Sequence, residues 1–278
     1  MKKLKIAITI LLWGMCLLCP AQDCVRIVSL SPSITATLQQ LGADSCIVGR
    51  TSYCPAPLNG KTAVIVGNVL EISVEKIISL KPDLVFCMSF TKTEVRKQLE
   101  HMGIRVKDFS TPKSFAEICT QTREIGMLAD RNTAADTLVE SEIRKVADIR
   151  EEFTRNPPVP YPTKTFFQIG INPLFPVIEG TYMNEYLCFL GLDNIIKQYK
   201  GGGISPEYVL ASDPAILIIS RMSGSGDEAV AFWRKFSHID AVKNNRILLV
   251  DDTKACCPTP VFFRETLQTI AEFLKSIR

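Results

Sequence analysis

The chain has 278 residues, 46% of them hydrophobic and 22% charged, with a formal net charge of +3. That is enough apolar material for one large core or two ordinary ones, which excludes a disordered protein and a miniprotein held by disulfides alone. The whole charge excess lies in Lys2, Lys3 and Lys5, so the remainder is neutral and nucleic acid or an anionic membrane surface is a poor default partner.

Behind that basic start runs an uncharged apolar segment, Ile6–Leu18, closed by Cys19-Pro20-Ala21. This is the form of a cleaved secretory signal peptide over residues 1–21, too short to span a bilayer as a mature helix. Cys16 follows Met15 and Cys19 follows Leu18, where a lipoprotein signal wants a small residue, so no lipid anchor is expected. The mature chain is expected to be exported and soluble.

A strand over Arg26–Ser29 ends in the turn Leu30-Ser31-Pro32, and Leu41-Gly42-Ala43-Asp44 leads into a second strand at Ile47–Gly49. Next comes a serine N-cap, Ser73, with Glu75 in the first turn, a short helix, and Lys81-Pro82 before the buried strand Asp83–Phe86. A third strand lies near Val106–Asp108. The second half repeats this order. Thr165–Ile171 ends at Asn172-Pro173, Leu190-Gly191-Leu192-Asp193 precedes a strand at Ile195-Ile196, and Ile247–Val250 closes the series. Ser205, Glu207 and Pro214 stand at one constant offset from Ser73, Glu75 and Pro82. The first half carries a longer loop within Arg50–Leu70. Between the halves, Leu138, Val139, Ile143, Val146, Ile149 and Phe153 make one apolar face of a long helix, which the stiff Asn156–Pro162 segment stops. The expected fold is α/β: two lobes, each a parallel sheet flanked by helices, joined by a single long rigid helix. The expected division is 22–129 for the first lobe, 130–153 for the helix and 154–278 for the second lobe.

Arg26–Pro32, Leu80–Val85 and Phe167–Pro173 resemble motifs of the helical-backbone (class III) periplasmic substrate-binding proteins of ABC importers. The third of them is most similar to the cobalamin-binding branch. The resemblance covers Arg26 to Ile277. It implies a monomer in the periplasm that takes a bulky ligand between its lobes and delivers it to an ABC permease dimer at the inner membrane. A corrinoid is the expected ligand. A ferric siderophore or haem in the same role, or an exported ligand sensor, is the alternative. It also implies that Glu75 and Glu207 dock onto arginines of the permease. As first-turn carboxylates both also complement a helix dipole.

In open parallel sheets ligands bind beyond the carboxyl ends of the strands. The expected lining is therefore the post-strand loops: 31–32, 51–55, 67–68, 88–91, 172–175, 201–203, 221–222 and 251–257. From these, Tyr53, Asn68, Phe90, Asn172, Phe175, Gly202 and Asp252 are the candidate ligand-binding residues, a mixture suited to a large flat ligand. Gly201–Gly203 reads equally as a close approach to ligand and as a plain flexible loop. The resembled cobalamin binder has tryptophans around its cleft, whereas after the leader only Trp233 remains, on a helix away from the loops. That relative also has an arginine near the position of Cys257.

Eight cysteines lie beyond the leader, an even number that suits disulfides in an exported chain. Cys24 and Cys46 precede strands expected to be neighbours and are the first pairing. Cys256-Cys257 read as a strained vicinal disulfide, as partners of Cys54 or Cys87, or as thiolate donors to a metal, with pairing the default. His101 and His238 occupy equivalent places before the third strands, at the sheet ends opposite the cleft, so they read as structural. No metal site and no cofactor is expected. With no G-x-S-x-G elbow and no histidine placed as a base, the chain reads as a binder and not as an enzyme.

Overall fold

The computed structural model describes residues 24–58, 62–68, 70–199, 201–220 and 226–277; the expected leader lies outside them. The first lobe runs β1 (Ile27–Ser29), α1 (Pro32–Gln40), β2 (Ile47–Arg50), β3 (Val64–Ile65), α2 (Val74–Ser79), β4 (Leu84–Met88), α3 (Thr93–His101), β5 (Arg105–Phe109) and α4 (Phe115–Leu128). Its strands are all parallel in the order β3-β2-β1-β4-β5. Ile27, Val28, Leu84, Val85 and Phe86 are fully or almost fully buried, as strands covered by helices on both faces must be. The strand order reverses direction at β1, opening a crevice at the carboxyl edge. The longer loop of the first half contains β3, an extra two-residue edge strand.

A helix of 24 residues, α5 (Asn132–Arg155), about 36 Å long at 1.5 Å per residue, leads to the second lobe. There follow β6 (Thr163–Ile171), β7 (Leu174–Pro176), α6 (Tyr182–Phe189), β8 (Leu192–Asn194), α7 (Pro206–Ser212), β9 (Ile216–Ser220), α8 (Gly226–Arg234), α9 (Asp240–Lys243), β10 (Ile247–Val250), α10 (Asp252–Ala255) and α11 (Pro260–Ser276). The order β8-β6-β9-β10 repeats β2-β1-β4-β5 of the first lobe.

Two details differ from the sequence expectation. The second sheet is mixed. The nine-residue β6 pairs with β8 through Thr163–Thr165, then with β7, antiparallel, through Gln168–Ile171, because the Asn172-Pro173 turn folds the chain straight back. The strand expected at Ile195-Ile196 is instead Leu192–Asn194. The Asn194 side chain accepts from the Ile196 amide at 3.0 Å and donates to the Val177 carbonyl at 3.0 Å, turning the chain out of the ladder.

The repeat extends to the backbone. Lys81 and Asp213, at equivalent places between helix and proline, both have φ of 47°, the left-handed conformation that ends each helix before Pro82 and Pro214 lead into the next strand.

Helix α5 is fixed to the second lobe by the buried Glu142. Its carboxylate accepts from Arg264 Nε on α11 at 2.9 Å and pairs with Lys145 Nζ at 2.7 Å, so the charge is compensated where it is buried. Further links bridge the lobes. The Phe115 amide donates to Glu185 Oε2 at 2.6 Å, and Gln40 Nε2 donates to Thr259 Oγ1 at 3.1 Å. Cys24 and Cys46 form a disulfide with Cα atoms 5.4 Å apart, just ahead of the paired residues Ile27 and Ile47. It closes a 22-residue separation, so replacing both cysteines by alanine should lower stability by about 3 kcal/mol. Urea unfolding of the two proteins checks this, and a loss below ~1 kcal/mol would show that the cross-link constrains little.

Candidate functional site

The parallel strands of each lobe share one carboxyl edge, and the loops there are held by the chain itself. The turn carrying Tyr53 is closed by the Cys54 amide on the Thr51 carbonyl at 3.2 Å and by Arg50 Nη1 on the Cys54 carbonyl at 2.8 Å. Tyr53 is left 70% exposed beyond β2. Beyond β4, the Thr91 amide donates to the Met88 carbonyl at 2.8 Å and leaves Phe90 62% exposed. Two preformed aromatic surfaces therefore stand at this edge of the first lobe.

Asn68 serves its own loop first. Its Oδ1 accepts from the amides of Leu70 at 2.8 Å and Glu71 at 2.9 Å, a turn that also needs glycine at 67, where φ is 135° and a Cβ would overlap the Glu71 carbonyl oxygen. Among the described residues the Asn68 amide nitrogen has no hydrogen-bond partner. Asp252 begins α10, which Asp251 caps by accepting from the Thr253 amide at 2.9 Å.

The second lobe supplies a cavity of about 460 Å³, within the usual range for a small-molecule site. Its walls include Ile169 at the end of β6, Phe175 on β7, Val177, Ile178 and Met183, with Gly202 at the rim. The first lobe closes it with Thr111-Pro112-Lys113, the segment that follows β5. Of the seven candidate residues, Phe175 and Gly202 line this cavity. Asn172 lies in the adjoining turn between β6 and β7. Tyr53, Asn68, Phe90 and Asp252 stand on other loops. The glycine run is not a free loop. The Ile204 amide donates to the Leu174 carbonyl at 2.8 Å, Tyr199 Oη donates to the Gly203 carbonyl at 2.6 Å, and a Cβ at 203 would come within 2.7 Å of Pro173 Cβ. The cavity residues missed from sequence are 111–113, Ile169, 176–178 and 180–183. The post-strand rule applied to the third strand of the first half would have found 111–113; nothing in the sequence marked the others as a wall.

Glu75 and Glu207 are both exposed in the first turns of α2 and α7, helices that start at the carboxyl edges of their sheets. The Glu207 carboxyl is held below its ordinary range by its own backbone amide, with help from the Ser205 hydroxyl.

The expected pairing of Cys256 and Cys257 is not formed. Both are free thiols, as are Cys54, Cys87, Cys119 and Cys188. Cys256 is the C-cap of α10, and the Cys257 amide bonds the Lys254 carbonyl at 3.2 Å, so both follow directly on one helical turn. Cys256 Sγ instead lies 3.6 Å from Ser220 Oγ. Burial pushes the Cys257 thiol up to about 12, which keeps it protonated at neutral pH. Trp233 is fully buried on α8, as the sequence placed it, and its Nε1 donates to Gln168 Oε1 at 2.6 Å. His101 and His238 are exposed. No three His, Cys, Asp or Glu cluster as metal ligands among the described residues. No helix among them is long and apolar enough to cross a membrane.

A family model described as periplasmic binding protein matches residues 27–253. A curated relative, the vitamin B12-binding protein of Yersinia pestis (strain Pestoides F), is 27% identical over 217 residues, 77% of this chain and 76% of the relative. Among solved structures, the periplasmic vitamin B12 binding protein BtuF of Vibrio cholerae superposes with a TM-score of 0.76 at 22% identity, covering 91% of this chain and 98% of its own. A periplasmic heme binding protein from Pseudomonas aeruginosa gives 0.78 at 22% identity, covering 91% and 93%. These likenesses show a shared fold across different ligands. With the matched model reaching from β1 into α10, over both lobes and the helix that joins them, the chain belongs to the periplasmic binding protein family.

Proposed function

We propose that this chain is the substrate-binding component of an ABC importer, that it captures a corrinoid between its lobes, and that it delivers the ligand to a permease dimer. The observation that carries the reading is the apolar cavity between the 111–113 segment and the β6–β7 edge, on the same side as the exposed rings of Tyr53 and Phe90. Such walls suit a bulky ligand with apolar faces and exclude water from little else. The corrinoid choice over haem or a ferric siderophore is supported by the vitamin B12-binding relative. In this reading residues 1–21 are a leader removed on export to the periplasm, 22–129 and 154–278 are the two lobes, 130–153 is the rigid connection, and the working form is a monomer. Its role is capture and release, with no catalytic step. Tyr53, Asn68, Phe90, Asn172, Phe175, Gly202 and Asp252 face the ligand, while Glu75 and Glu207 face the permease. The helix between the lobes allows small closure and no wide hinge swing.

The test is calorimetric titration of purified residues 22–278 with cyanocobalamin, haemin and a ferric hydroxamate. Saturable one-to-one binding of cyanocobalamin at submicromolar Kd is expected. Phe175→Ala should weaken it about 10- to 100-fold, the effect of losing the burial of one large ring. Binding of haemin or the hydroxamate without cyanocobalamin would overturn the corrinoid choice and keep the capture role. Silence from all three would overturn both.

A further inference from the structure

Resting on that reading, we propose that Lys113 holds the anionic group of the ligand and so sets which members of the ligand class bind tightly. Of the fourteen residues described around the cavity, Lys113 alone is charged. The other polar side chains near it are largely engaged. Tyr182 Oη donates to the Ala255 carbonyl at 3.1 Å, and Thr181 Oγ1 donates to the Ile178 carbonyl at 2.7 Å. Lys113 itself is exposed, and among the described residues no carboxylate lies within ion-pair distance of its ammonium. The carboxylate nearest in sequence, Glu117, instead accepts from the Lys113 backbone amide at 2.7 Å. The amino end of α4, which would otherwise attract an anion, is already occupied. Ser114 Oγ accepts from the Glu117 amide at 3.1 Å, and Glu185 accepts from the Phe115 amide at 2.6 Å. What remains for an anion at this rim is the Lys113 side chain.

An apolar wall with one cation at its edge selects a ligand with an apolar body and a negative group on its periphery. In a corrinoid that group is the phosphodiester of the nucleotide loop, because the remaining ring substituents are neutral amides. In haem it would be a propionate carboxylate. The two sources share one chemistry, and they can be told apart by ligands that lack the charge.

The experiment measures Kd for cyanocobalamin and for dicyanocobinamide, which lacks the nucleotide loop, with the wild type, Lys113→Ala and Lys113→Arg. Lys113→Ala should weaken cyanocobalamin about 5- to 10-fold, as expected for a partly exposed charge-assisted contact, and leave dicyanocobinamide within about twofold. Lys113→Arg should restore most of the loss. The wild-type preference for cyanocobalamin should shrink as salt is raised. Equal weakening of both corrinoids, or no change in either, overturns the assignment. If the wild type binds neither corrinoid, the parent reading fails and haemin with its dimethyl ester gives the same comparison. Selective loss of haemin in Lys113→Ala then keeps Lys113 as the anion site, and equal behaviour of the two overturns it.

Discussion

Replacing Glu75 and Glu207 together by alanine should reduce uptake by cells carrying the cognate permease at least tenfold, while the affinity of the purified protein for its ligand stays within about twofold. The separation of the two effects follows from where the residues lie. Both carboxylates are exposed in the first turns of their helices, and neither lines the cavity. Their folded-state roles are small. The cap of α2 rests on Ser73, whose Oγ accepts from the Lys76 amide at 3.3 Å, and α7 starts at Pro206 behind Ser205 with no side-chain cap to lose. The double variant should therefore fold. A pair of carboxylates at matching places on two pseudo-equivalent lobes suits a partner with matching cations, and loss of both removes the attraction on each side. Each single variant should give an intermediate effect. Undiminished uptake in the double variant would end the docking assignment, and a parallel loss of ligand affinity would move the glutamates to the binding site.

Trp233→Ala is expected to cost about 3–5 kcal/mol of stability, the largest effect of any single substitution considered. The indole is fully buried, edge-on to Phe166 with centroids 5.8 Å apart and to Phe232 at 5.0 Å. Its truncation leaves a cavity and also strips the buried Gln168 side chain of its 2.6 Å donor. Trp233→Phe separates the two contributions. The ring is largely kept, and the loss should fall to about 1–3 kcal/mol, the cost of an unpaired buried amide oxygen. Urea unfolding measures both, and ligand titration of Trp233→Phe should show near wild-type affinity because the cavity walls are formed by other residues. A loss below ~1 kcal/mol in Trp233→Ala would mean that the second lobe repacks around the vacancy.

The constant offset of Ser73, Glu75 and Pro82 with Ser205, Glu207 and Pro214 made the duplicated α/β plan legible from the chain alone. Each of these residues acts locally: a serine stands at the start of a helix, a carboxylate supports its first turn, and a proline lies in the turn before the strand. The long helix was equally readable, because one apolar face persists until prolines prevent further winding. The Cys24–Cys46 bridge followed from two strands being neighbours, a relation the repeat pattern already implied. Cys256 and Cys257 show where such reasoning stops. An even cysteine count suggested that they pair, with each other or with Cys54 or Cys87, but all four are free thiols.

The antiparallel β7 was hidden in the same way. Nothing in Leu174–Pro176 distinguishes a returning strand from a loop until the far end of β6 is available to pair with it. The site divides along the same line. Phe175 and Gly202 could be named because post-strand loops bind ligands as a rule. That they share one cavity with Lys113, and that Tyr53 and Phe90 stand apart from it, depends on how the carboxyl edges of two separate sheets are set against each other. That placement comes from contacts between distant segments, such as Arg264 with Glu142 and Phe115 with Glu185. Local patterns in the chain determined the elements and their order, because their causes lie within a few residues. Which loops meet across the cleft was decided only by the packing of the two lobes on one rigid helix.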